Sequence, residues 1–259
     1  MAKKPVVVIG IGEMGSVFAR GLLRLGHPVF PVNRDTDMRA LAKELPKPKL
    51  VLVAVGEGAL APLLHEIPKP WRKRLALLQN ELLPDDYQHL REATVISVWF
   101  EKKRGQDAKV IIPSPAYGPR AQLLARALAT LHIPVTLIER PRDMLFELVA
   151  KNLYILTSNI AGLRTGGTVG QLWAEHQDLA RAVANEVILL QERLTGSRFN
   201  NDDLIAAMVR AFEGDPQHQC MGRSAPARLQ RALQHADRFG LELPTLRQIA
   251  QEQDAAAAP

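Results

Sequence analysis

The chain has 259 residues, 47% of them apolar and 23% charged, with a formal net charge of +6 and one cysteine, Cys220. This composition excludes a disordered chain, a collagen and a disulfide scaffold. No apolar run reaches the roughly 18–20 residues of a membrane span.

The apolar run that follows Met1-Ala-Lys-Lys-Pro5 stops at Ile9, too short for a signal peptide. A single cysteine forms no intrachain disulfide and fits a reducing compartment, so a cytoplasmic location is expected. The cationic excess suits an anionic partner: a nucleotide, a phosphate, a carboxylate or a nucleic acid.

In chain order, β-rich runs occur at Val6–Ile9, Val29–Val32, Leu50–Val55, Leu75–Gln79, Thr94–Phe100, Val110–Ile112 and Val135–Ile138. Helix-like stretches separate most of them, the signature of βαβ units and a parallel sheet. The runs are apolar throughout rather than alternating, as in strands buried on both faces. Ser114-Pro-Ala-Tyr117-Gly118-Pro119 reads as a proline-stiffened connection.

The pattern changes near Arg140-Pro141. Beyond it, segments of helical period take over at Met144–Leu163, Val169–Leu194, Asp202–Phe212, Ala225–Phe239 and Thr245–Gln251, with glycines between them. The expected architecture is α/β: a Rossmann-type, mostly parallel sheet over residues 1–140, then an all-helical domain over 141–259. Two domains of this size leave room for one site in a cleft between them. The apolar helix Val183–Leu194 exceeds what a small helical domain obviously hides, which suggests a homodimer.

Gly10-Ile-Gly12-Glu13-Met14-Gly15 is a GxGxxG that follows the first strand and opens a helix. Gly10 permits the tight turn, Gly12 admits a pyrophosphate to the backbone, and Gly15 lets helix and strand pack closely. The helix N-terminus offers N–H groups to phosphates. The second strand ends at Asn33-Arg34, where an NAD site usually carries Asp or Glu. A guanidinium there suits a 2′-phosphate and favours NADP. Asp35 is read either as a ribose ligand or as a helix cap. Val55-Gly56 and Gln79-Asn80 end the next two strands, on the edge that faces the cofactor crevice in such folds.

In the first helix of the second half, Lys151 and Asn159 lie roughly 80° apart around the axis. With Ser158 they form a polar stripe on an otherwise apolar helix. Taken alone, such a lysine reads as a snorkelling surface residue.

Together, Gly10-x-Gly12-x-x-Gly15, Gln79-Asn80, Lys151 and Asn159 resemble the ketopantoate reductase (2-dehydropantoate 2-reductase) family, within the group like 6-phosphogluconate dehydrogenase. The layout of a helix, Gly240 and a Pro-bearing final helix is similar too. The resemblance implies NADP(H) as cofactor and hydride transfer to a small anionic 2-keto acid. It also implies Lys151 as proton donor, with Asn80 and Asn159 as orienting residues. Two departures stand out: Ile155 replaces an asparagine four residues after the lysine, and no carboxylate lies within Arg223-Ser224-Ala225-Pro226, where the resemblance implies one. Arg223 and Ser224 are therefore expected to meet the substrate. The competing reading is an NADP-binding protein with little or no catalysis, a sensor or partner subunit.

His218-Gln-Cys220 lacks metal-ligand spacing, so no metal is expected. Arg72-Lys73-Arg74 and Lys102-Lys103-Arg104 are short basic clusters without interleaved aromatics, so no nucleic-acid partner is expected. Thr165-Gly166-Gly167-Thr168 reads as a flexible interhelical turn.

Overall fold

A computed structural model describes residues 3–90 and 92–257. The chain divides into two compact units between Glu147 and Leu148.

The first unit opens with β1 (Val6–Ile9), α1 (Glu13–Arg24), β2 (Val29–Val32), α2 (Met38–Glu44), β3 (Leu50–Val53) and α3 (Glu57–Glu66). There follow a 3₁₀ turn, β4 (Leu75–Leu77), α4 (Pro84–Tyr87), β5 (Thr94–Ile96), β6 (Phe100–Glu101) and β7 (Lys109–Val110). It closes with β8 (Ser114–Tyr117), α5 (Ala121–Ala129) and β9 (Val135–Leu137). Seven strands form one sheet in the order β2-β1-β3-β4-β5-β8-β9. β1 to β5 are mutually parallel, β8 runs antiparallel to β5, and β9 is parallel to β8.

Strands β1, β3, β4 and β5 are buried along their full length. Val6, Val8, Leu50 and Leu52 pack with Phe18 and Leu22 of α1 and Leu124 and Leu128 of α5. Alternation along the strands turns the equally buried Val7, Val51 and Val53 to the other face. The edge strand β2 exposes Phe30 and Pro31, so its apolar composition does not mean burial on both faces.

Two sequence expectations are corrected here. Ser114–Tyr117 is a strand inside the sheet, not a connection. Pro115 is tolerated because β8 still pairs through other groups, Pro115 O accepting from Ser97 N at 2.9 Å. Val110–Ile112 does not join the sheet: β7 pairs only with β6, as a separate two-stranded ribbon. The run Thr94–Phe100 is accordingly split between β5 and β6.

The remaining elements are α6 (Pro141–Thr165), α7 (Val169–Glu175), α8 (Gln177–Thr195), α9 (Asn201–Gly214), α10 (Ala225–Phe239) and α11 (Pro244–Ala257). The expected continuous helix Val169–Leu194 is broken at His176, whose φ of −131° leaves the helical range. Ends are capped locally. Asn200 Oδ1 accepts from Asp202 N and Asp203 N. Thr168 and Gln171 form a reciprocal capping box. Glu186 accepts from Thr245 N and Leu246 N at 2.7 and 3.0 Å, placing a carboxylate on the positive end of α11.

Within α8, Val183, Val187, Ile188 and Leu190 are buried in this single chain. Leu189 of the same helix stays exposed, so most but not all of its apolar residues are hidden within this chain. No helix among the described residues is long and apolar enough to cross a membrane.

Candidate functional site

The loop after β1 is shaped by its glycines. Gly10 has a φ of +90°, in the left-handed region that a side chain disfavours, and a Cβ there would stand 2.8 Å from Ala54 O. Gly15 lies against the carbonyl of Gly10, and a Cβ would collide with it. Gly12, at the N-cap of α1, has nothing within 4 Å of where its Cβ would be. The first-turn N–H groups of α1 have no intrahelical acceptor, and no side chain caps them. Glu13 turns its carboxylate to Lys102, 3.3 Å away, while Met14 packs on the core. These two residues offer backbone to the open space at Gly12, and their side chains are engaged elsewhere.

Neighbouring strand ends close round the same loop. Val55 Cγ1 faces the Cβ direction of Gly10 at 3.3 Å. Gly56 caps α3 with open space beside it. The buried Gln79 donates from Nε2 to Val53 O at 2.8 Å and Val55 O at 3.2 Å, fixing the end of β3 to the end of β4. Both amide protons are spent there, so Gln79 is a brace, and the half-buried Asn80 beside it is left as the polar residue of that turn.

Asn33 and Arg34 follow β2 and are exposed. Asn33 N donates to Thr36 Oγ1 at 3.0 Å, holding the turn. The cap of α2 is Asp37, whose Oδ1 accepts from Arg39 N and Ala40 N, so Asp35 is not the helix cap.

In the second unit, α6 is buried on all sides. Every residue from Leu148 to Gly162 is buried except Lys151, which is half-buried. A helical stretch sunk on all faces is the centre of its unit, and the one half-buried position between residues 148 and 162 carries the amine. Burial, and then the charge of Arg228, push the Lys151 pKa down to about 7. Its Nζ stands 5.4 Å from the ring centroid of Tyr154.

Asn159 is fixed at both ends of its amide. Oδ1 accepts from Arg228 Nη1 at 2.8 Å, and Nδ2 donates to Cys220 O at 3.2 Å. The Cys220 loop comes this close because residue 162 is glycine: a Cβ there would stand 2.6 Å from Cys220 Cβ. The loop is also tied to the turn after α6, since Cys220 N donates to Gly167 O at 3.0 Å and Val169 N to His218 O at 2.9 Å. The turn read as flexible is thus braced.

Ser158 does not face a common polar stripe; it is buried and donates to Tyr154 O at 2.7 Å. Asn152 is likewise buried, paired with Gln191 at 3.0 Å. Ser224 and Arg223 are exposed just ahead of α10, and Ser224 O accepts from Arg228 N. The structure thus groups Lys151 with Asn159 and Arg228. Arg228 carried no motif in the sequence; its position one turn into α10 was the only signal.

No family model matches the chain, and no curated protein matches it. Solved structures do. The 2-dehydropantoate 2-reductase of Methylococcus capsulatus superposes with a TM-score of 0.69 at 14% identity, over 97% of this chain and 96% of that one. The dimeric ketopantoate reductase of Staphylococcus aureus gives 0.63 at 15%, over 97% and 98%. A D-mandelate dehydrogenase solved with NADH and anilino(oxo)acetate gives 0.64 at 11%, over 95% and 96%.

The chain has the ketopantoate reductase fold. At these identities it is the fold that is shared.

Proposed function

We propose that the protein is an NADPH-dependent reductase of a small 2-keto acid. The observation that carries this reading is Lys151, an amine at the one half-buried position between Leu148 and Gly162, in an otherwise buried stretch of α6, with its pKa drawn down to about 7. The reductases among the structural neighbours support the reaction class, and the D-mandelate dehydrogenase with NADH supports a nicotinamide cofactor.

The residues present fit such a cofactor. The open space at Gly12, the uncapped start of α1 and the exposed Arg34 suit a pyrophosphate and a 2′-phosphate. Glu13, Met14 and Gly15 supply N–H groups, and Asn33, Val55, Gly56 and Asn80 border the dinucleotide. When bound, the reduced nicotinamide supplies the hydride that reaches the carbonyl carbon of the keto acid. The carbonyl oxygen gains negative charge as that bond forms, and the Lys151 ammonium stabilises it and gives it a proton. The product is the 2-hydroxy acid, and Lys151 is left as the neutral amine. An amine with a pKa near 7 is half protonated at neutral pH, so it releases and regains the proton readily. Asn159, held by Arg228 and Cys220, orients the substrate, with Arg223 and Ser224 at its outer end. A homodimer, as in the neighbour from Staphylococcus aureus, accompanies this reading.

The test is the oxidation of NADPH with a panel of 2-keto acids, in wild type and Lys151→Ala. Turnover that collapses in the variant supports the proposal. Tight NADPH binding with no turnover on any keto acid favours a binding protein instead.

A further inference from the structure

The opposite edge of the main sheet holds a second polar feature. A cavity of about 330 Å³ is lined by His27, Lys49, Arg74, Arg120, Gln122 and Arg126, among others. Lys49 immediately precedes β3 and Arg74 precedes β4, so both stand where the parallel strands begin. Arg120 follows β8, and because β8 runs antiparallel its end comes to the same edge. The glycine loop of β1 lies at the other end of these strands.

The cationic groups are held in place. Arg74 Nη1 donates to Pro48 O at 3.0 Å. Arg120 Nε donates to Lys49 O at 3.3 Å, and its backbone N donates to Thr94 Oγ1 at 3.0 Å. Arg120 Nη1 is buried with no hydrogen-bond partner among the described residues. Burial and the neighbouring charge of Arg74 lower the Arg120 pKa, with Glu92 acting the other way. A buried guanidinium nitrogen left unbonded is costly, and a second guanidinium beside it adds repulsion.

The helix that starts here compounds the pattern. α5 begins at Ala121, so Arg120 occupies its N-cap, with no side-chain cap bond and no acidic residue in the first turn. Helix starts normally place an oxygen-bearing side chain at this point, because the N-terminus is the positive end of the helix. Here a cation stands on it. Two features therefore favour an anion here: a buried guanidinium nitrogen without a hydrogen-bond partner among the described residues, and the neighbouring charge of Arg74, only partly offset by Glu92; the first N–H groups of α5 already donate to Gly118 O and Arg120 O.

We propose that this cavity is an anion site for the di- or triphosphate group of a small molecule, separate from the dinucleotide loop. Arginine forks match phosphate oxygens in pairs. Arg74 and Arg120 form the inner pair, and the exposed Lys49 and Arg126 form the rim. The volume lies at the lower end of small-molecule sites, about 300–1,000 Å³. A single-stranded nucleic acid would use aromatic side chains for stacking along an extended groove; the named lining residues offer neither Phe, Tyr nor Trp.

The experiment titrates inorganic pyrophosphate into the full chain at constant ionic strength, read by calorimetry and phosphorus NMR. The wild type is compared with Arg74→Gln and with the rim variant Lys49→Gln/Arg126→Gln. Saturable binding of one pyrophosphate per chain is expected, persisting in the presence of NADPH. Either variant should weaken it by about tenfold or more. NADPH binding should be unchanged in both variants. Circular dichroism checks folding, and if Arg74→Gln unfolds, the rim variant, altered only at exposed positions, decides the matter. The proposal is overturned by the absence of saturable binding or by equal binding in the rim variant. Displacement by NADPH also overturns it, because that places the anion at the Gly10–Gly15 loop. So does an oligonucleotide that binds where pyrophosphate does not. None of these readouts depends on keto-acid turnover, so the reductase reading and this one fail separately.

Discussion

At the candidate site of Gly10, Gly12 and Gly15 the atoms available to a proposed ligand are backbone N–H groups, whereas at Lys151, Asn159 and Arg228 they are side-chain ends. The first arrangement is short in sequence. Six consecutive residues set the turn, the open space and the helix start. The second is long. Asn159 reaches its two partners across 61 and 69 residues. A backbone site tolerates variation in the side chains around it, as the engaged Glu13 and Met14 illustrate. A side-chain site depends on every element that holds a partner in place.

The largest expected effect tests the helical unit. Lys151→Ala removes the proposed proton donor and should lower kcat by about 10²–10⁴-fold, with NADPH binding unchanged. Undiminished turnover would remove Lys151 from the chemistry and leave only the backbone site with a role. The second test goes to the sheet unit. Arg34→Asp should weaken NADPH binding by about 10–100-fold and leave NADH binding largely intact, measured by fluorescence titration. Equal wild-type affinity for the two cofactors would show that Arg34 does not read the 2′-phosphate.

Gln79→Leu strips both donors from the brace between β3 and β4. We expect a loss of about 1–3 kcal/mol in denaturant unfolding. The cost should fall on stability and dinucleotide affinity together, because the brace holds the strand ends beside Gly10.

The subtlest test concerns pH. In the proposed reaction the Lys151 ammonium donates the proton, so kcat/KM should be flat below about 7 and fall as pH rises through it. Arg228→Gln removes a repelling charge, and the amine then keeps its proton to higher pH. The falling limb should move upward. Stability carries the same sign. The folded chain releases the Lys151 proton near 7 and the unfolded chain near the usual 10.5, so folding gains stability as pH rises between them. Lys151→Met should therefore raise the thermal midpoint at about pH 6 and do so less at about pH 9.

The legibility of the two regions differs for physical reasons. Buried parallel strands are short apolar runs, and β1, β3 and β4 were visible as such. β8 was not, because Ser114-Pro-Ala-Tyr117 has the composition of a turn and becomes a strand only through its neighbours β5 and β9. The ribbon of β6 and β7 was misplaced for the converse reason: Val110 is β-prone, but its only partner strand is Phe100–Glu101. In the helical unit, periodicity located the helices but not the break at His176. Lys151 and Asn159 stood out as polar residues on an apolar helix. Arg228 did not, since one arginine among several on an exposed-looking helix carries no local mark. The polar stripe through Ser158 failed because a serine inside a helix can satisfy itself on a carbonyl one turn back.

Gly162 bears no functional group, yet it sets how closely the Cys220 loop can lie on α6. Enlarging it by one methyl would move the Cys220 carbonyl outward and leave one end of the Asn159 amide unheld. The reach of Arg228 would then have to change as well. An inert position thus acts as a mechanical stop for the reactive ones. Evolution of a new substrate preference in this unit has a silent route, through the spacing of a loop, that leaves every polar residue as it is.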